Sequence, residues 1–159
     1  MKPILLVPVL LLSACTTPSF QGLFPSPLDA PIDVPTETLN PAPPPPPPAN
    51  ARTVDEFDTT SDADRAEAVK VSSAASEQVL GTTLATLGSP TEPGIWLKTP
   101  LVTALRPGRV TYQGQSINIE LRPSGGAAGS GSQISLAAMR LLNAPLTGII
   151  ELQVAATGG

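Results

Sequence analysis

Glu92, Glu120 and Glu151 are the only acids after residue 81, so they bound the chemistry open to the C-terminal half. Glu120 and Glu151 fall in the alternating runs Ile117-Asn118-Ile119-Glu120-Leu121 and Ile150-Glu151-Leu152-Gln153-Val154. That period of two puts both carboxylates on the polar faces of strands, pointing to solvent. A glycosidase-like pair would require adjacent strands and a carboxyl separation of roughly 5 to 9 Å. Trp96, Arg122, Gly125 and Gly126 offer an aromatic ring, a guanidinium and backbone donors. This set suits binding of an anionic or sugar-bearing polymer, but it cannot pass a proton at neutral pH, because Arg stays charged. Trp96 is either a sugar-stacking platform or the largest residue of the core. The stretch Gly125 to Gly131, with Ser130 and Ser132, lacks a P-loop Lys and fits no nucleotide fingerprint, so it reads as a flexible loop.

The chain of 159 residues has no His, and Cys15 is its single Cys. Internal disulfides, His/Cys zinc sites, haem on His and His-assisted nucleophiles are therefore excluded, and no cofactor is expected. Asp55, Glu56, Asp58, Asp62 and Asp64 form an acidic cluster. An EF-hand needs oxygens at fixed positions around a central Gly, and that order is absent, so the cluster reads as a solvated helix entrance. A net charge of −4 argues against a nucleic-acid partner held through phosphates.

At the N-terminus, Met1-Lys2 precedes an apolar run from Pro3 to Leu12 and then Ser13-Ala14-Cys15. One base, an apolar stretch too short to span a bilayer and a small-residue site make a secretory signal over residues 1–14. Leu12-Ser13-Ala14-Cys15 resembles the lipobox of bacterial lipoproteins. The resemblance implies diacylglyceryl transfer to the Cys15 thiol, cleavage before it, and acylation of the new amine. Several acyl chains on one residue suffice for stable membrane attachment. Thr16 stands where an Asp would resemble an inner-membrane retention signal, so the expected location is the periplasmic face of the outer membrane.

The elements that carry these residues divide the chain. Residues 15–51 are proline-rich, with the run Pro43 to Pro48, and read as an extended or disordered tether. Residues 52–80 hold seven acids and three bases without Gly or Pro, and read as an acidic helix capped by Thr60-Ser61 and ended by Gly81. From 81 to 155 the texture changes to short alternating runs broken by Gly and Pro. Thr82 to Leu87, Ile95 to Val102, Arg109 to Tyr112, Ser116 to Leu121 and Ile150 to Val154 read as strands, with a hairpin at Gln113-Gly114-Gln115. Ser135 caps a short helix over Leu136 to Leu142. Six or so short strands around one helix predict a mainly β fold, a small barrel whose closure removes exposed edges.

The order of strand, Gly-rich loop, Ile134-Ser135-Leu136, short helix and closing strand resembles the double-psi β-barrel of the RlpA-like lipoproteins. That resemblance implies a peptidoglycan lytic transglycosylase. Arg122-Pro123-Ser124-Gly125-Gly126 occupies the family's Asp-Arg-Gly-Pro loop, so the catalytic carboxylate is missing. The chain also resembles small lipoproteins that carry a D-galactarate dehydratase label. Such a lyase needs a base beside an activated carbonyl and a metal or cluster to hold it, and the sequence offers neither. The expectation is a non-catalytic envelope lipoprotein whose partners are the membrane, through Cys15, and peptidoglycan or an envelope protein.

Overall fold

The computed structural model describes residues 42–70 and 77–158. The signal peptide, Cys15 and the tether up to residue 41 lie outside the described residues, as do residues 71–76 of the acidic segment.

Six strands close into one barrel: β1 (Gln78–Leu87), β2 (Trp96–Thr99), β3 (Arg106–Tyr112), β4 (Gln115–Pro123), β5 (Ser132–Ile134) and β6 (Ile150–Ala156). Around the barrel the order is β1-β5-β2-β4-β3-β6. The pairs β1/β5 and β2/β4 are parallel and the other four are antiparallel. Alternation builds the interior as the sequence predicts. Ile117, Ile119 and Leu121 of β4 and Ile150, Leu152 and Val154 of β6 point inward, beside Leu97, Val110 and Ile134. Each such side chain removed from water contributes about 1.5–3 kcal/mol. Gln113 (φ 47°) and Gly114 (φ 85°) form the two-residue loop between β3 and β4, and positive φ at both matches the twist of a tight hairpin. A short helix, α3 (Leu136–Leu141), closes one side with Met139, its N-cap Ser135 accepting from the Ala138 amide.

The acidic segment differs from the single helix expected over residues 52–80. It contains α1 (Val54–Phe57) and α2 (Asp62–Val69), while Gln78–Leu80 already belongs to β1. Gly81 does not end a helix. It takes φ 128° where the β1–β6 register shifts, a bulge in a strand whose Val and Thr residues favour the pleated backbone. Thr53 and Glu56 form a capping box on α1, and Ser61 caps α2.

Two polar clasps fix these helices to the barrel. The fully buried Asp58 carboxylate pairs with Arg65 at 2.8 Å and with Arg140 of α3 at 3.0 Å, and Arg140 also reaches Asp55 at 2.7 Å. At the far end Asn118 of β4 donates to the Lys70 carbonyl at 2.9 Å, left open at the end of α2. It adds a second donor at 3.3 Å to the Glu67 carbonyl, which already accepts from the Lys70 amide. The last part of the expected tether, residues 42–51, also lies on the domain. Pro44 and Pro47 are half-buried, three residues apart as one face of a polyproline helix requires, and Thr59 Oγ1 donates to the Pro45 carbonyl at 2.5 Å. No helix among the described residues is long and apolar enough to cross a membrane.

Candidate functional site

Strands β2 and β4 run parallel with Trp96 beside Glu120 and Lys98 beside Arg122. Residues two apart share a face of a strand, so these four side chains form one patch on the outside of the barrel. Leu97 and Leu121, between them, point into the core.

Trp96 is fully buried, yet it lies outside the barrel interior. Its ring is sealed on the outer face by the turn that precedes β2. A Cβ on Gly88 would stand 2.5 Å from Trp96 Cη2, so only a glycine lets the backbone pass there. The indole Nε1 donates to the Glu92 carbonyl at 3.3 Å, and the Trp96 amide donates to Ser135 Oγ at 3.1 Å. Lys98 Nζ and the Arg122 guanidinium stand over the ring at 4.9 and 5.4 Å from its centroid. These are cation–π distances, and they leave no open face for stacking a sugar.

Over this ring the charges form a chain from Lys98 through Glu92 and Arg122 to Glu120. Glu92 Oε2 accepts from Lys98 Nζ at 2.7 Å, and Glu92 Oε1 accepts from an Arg122 Nη at 2.6 Å. Arg122 Nε donates to Glu120 Oε1 at 2.5 Å. The Arg122 and Glu120 side chains are about nine-tenths buried, so burial of their charges is offset by pairing and hydrogen bonding. Two of the three carboxylates, Glu92 and Glu120, are thereby tied to cations. Glu151 lies apart from this cluster, on the exposed face of β6.

Two cavities flank the patch. The first, of about 1000 Å³, opens at the end of the barrel where the loop 124–131 joins β4 to β5. Its lining includes Thr82, Leu84, Lys98, Gly126, Ser130 and Glu151. The second, of about 640 Å³, lies between α2 with Pro43-Pro44 and the barrel, and includes Ala68, Ile119, Glu120 and Arg122. The four site residues expected from the sequence are therefore divided. Arg122 and Trp96 meet, Gly126 faces the first cavity, and Gly125, at φ 69°, only turns the chain beside it. Lys98, which connects the two sides through Glu92, was absent from the sequence expectation, and Glu92 entered it only as one of three acids. The i, i+2 pairs Trp96/Lys98 and Glu120/Arg122 were a readable signal, but the parallel register that joins them was not. Among the described residues no three His, Cys, Asp or Glu side chains converge to hold a metal ion.

Ser135 has its side chain engaged in structure. It is fully buried, caps α3 and accepts from the Trp96 amide. Comparison with protein-family models, curated proteins and solved structures returns no match.

Proposed function

We propose that this chain is a lipid-anchored lipoprotein of the cell envelope whose barrel binds a partner rather than catalysing a reaction. The anchor half of the reading rests on Leu12-Ser13-Ala14-Cys15 behind the short apolar run. The binding half rests on one observation: Glu92 is engaged by Lys98 and Arg122, and Glu120 by Arg122, beside a cavity of hydroxyls, backbone and apolar side chains that carries one base, Lys98, and one acid, Glu151. Such a lining can hold a polymer by hydrogen bonds and charge. Its one base is already paired with Glu92, so it leaves Glu151 without a free partner for acid–base work. The envelope placement makes peptidoglycan or an envelope protein the partner class, with the barrel on the periplasmic face of the outer membrane.

The test has two arms. Cys15→Ser removes the thiol that forms the thioether, so the variant should leave the membrane fraction and appear as a soluble protein or uncleaved precursor. Recovery of that variant with the outer membrane after a carbonate wash would end the lipoprotein reading. In the second arm, the purified wild-type chain should bind purified sacculi without releasing glycan fragments. Release of soluble glycan, lost in Glu120→Gln or Glu151→Gln, would replace binding by a transglycosylase activity of the RlpA-like kind.

A further inference from the structure

The barrel contains two parallel strand pairs built alike, a long strand beside a short one. In each, the short strand covers only the downstream part of the long one. Strand β2 pairs with β4 from Glu120 onward, and β5 pairs with β1 from Ala85 onward. The upstream stretch of β4 is covered by the chain itself, because α2 lies on it and Asn118 clasps the carbonyls of Glu67 and Lys70. Just upstream of Ala85 on β1, on the side away from β6, Thr83 meets the Ser132 hydroxyl and Gly131 lies beside the Leu84 carbonyl. Among the described residues no strand pairing extends further on that side, and the loop 124–131 diverges there to open the larger cavity. An uncovered strand edge presents backbone donors and acceptors ready to pair with another chain.

The side chains around that edge point to what would pair with it. Val79, Leu84 and Ile149 are 80 %, 56 % and 67 % exposed, large apolar residues in water along one stretch of the β1–β6 surface. Lys98 is in register with Gln133, and Gln133 with Thr86, so its ammonium lies on the same outer face as Thr82, Leu84 and Thr86. Glu151, opposite Leu84, sets a negative charge at the other side of the groove.

From these observations we infer that the groove between the upstream half of β1 and the Gly125–Gly131 loop receives an extended peptide of a partner protein as an added strand. The inference rests on the binding reading above and not on the anchor. The peptide pairs its backbone with β1, rests alternate apolar residues on Leu84 and Ile149, and brings a carboxylate to Lys98 in place of one oxygen of Glu92. Glu151 excludes a second acid near Leu84. Strand addition of this kind takes affinity from main-chain hydrogen bonds and specificity from alternate side chains. The chain's own Pro43–Pro48 run cannot be the occupant, since proline has no N–H for the ladder.

A library of random eight-residue peptides with free carboxyl termini, panned over the full chain, tests the inference. Enriched peptides should carry apolar residues at alternate positions and an acid at one end. Binding should shift the amide resonances of Thr82, Thr83 and Leu84 and slow their exchange. N-methylation of alternate peptide nitrogens should abolish binding, and Lys98→Met should weaken it by about tenfold, the loss of one charge-assisted hydrogen bond. Three outcomes would overturn the inference: no enrichment, N-methylated peptides that bind equally well, or shifts confined to another face. If sacculi still bind the chain in any of those cases, the binding reading stands and its occupant is a glycan.

Discussion

Glu92 grips Lys98 with one carboxylate oxygen at 2.7 Å and holds Arg122 with the other, so one turn residue ties together the linings of both cavities. Whatever displaces Lys98 from Glu92 in the larger cavity also alters the charge balance around Arg122 in the smaller one. Removing the carboxylate exposes that dependence.

Glu92→Gln is expected to destabilise the chain by about 1–3 kcal/mol, because the nearly buried Arg122 then keeps only Glu120 as an ionic partner. Urea unfolding followed by Trp96 fluorescence measures the change. A variant as stable as wild type would mean that the network adds nothing to the fold.

Gly108 sits in β3 with a near neighbour on each side. A Cβ there would stand 2.7 Å from the Ala155 carbonyl and would overlap the Leu121 side chain. Gly108→Ala should therefore cost about 1–3 kcal/mol through overpacking, despite adding a single methyl group. Gly114→Ala makes a useful contrast, since its added Cβ meets open space and only the positive φ resists it. Thermal unfolding of both variants separates crowding from backbone strain.

Arg140→Ala takes away the α3 side of the clasp on Asp55 and Asp58 while leaving Asp58 paired with Arg65. The barrel should stay folded, with β-strand amides still protected, while α1 and α2 open more often. Cleavage between residues 54 and 69 by a limiting amount of protease should rise about tenfold for each 1.4 kcal/mol lost. Unchanged cleavage would show that Asn118 and the proline contacts hold the helices alone.

The Glu56 carboxyl is held below the usual glutamate range, first by the Arg52 amide and then by the amide and hydroxyl of Thr53. A lowered folded-state value means that this contribution is present above the unfolded value and lost as pH falls through the folded one. The capping box on α1 should therefore release on acidification below the ordinary glutamate titration. NMR titration of the Arg52 and Thr53 amides should follow the Glu56 carboxyl with one shared midpoint.

Local patterns made several elements legible before any coordinates. The alternation at Ile117-Ile119-Leu121 and Ile150-Leu152-Val154, the hairpin at Gln113-Gly114 and the cap at Ser135 depend on neighbours within a few residues. Elements decided by distant partners were not legible. Ser132–Ile134 is a strand only because Leu87 and Leu97 lie beside Ile134, and three residues carry too little pattern to announce it. Gln78–Leu80 reads as the end of a helix because Ala74, Ala75, Val79 and Leu80 share an apolar side, yet pairing with β6 draws it into a strand. The site failed in the same way. Each of Trp96, Lys98, Glu120 and Arg122 was visible, but the β2/β4 register that gathers them was not.

The brevity of β5 has a kinetic consequence. Its three residues are what join β1 to β2, and Thr83 meets Ser132 across 49 positions of chain. The β3–β4 hairpin can form within microseconds from local contacts, whereas this junction must wait for a long loop to close around it. The barrel should therefore assemble as one open five-stranded sheet, β2-β4-β3-β6-β1, with Ser132–Ile134 inserted last to close it. Substitutions in that segment would then accelerate unfolding and leave the refolding rate almost unchanged, whereas those at Val110 or Ile117 would slow refolding.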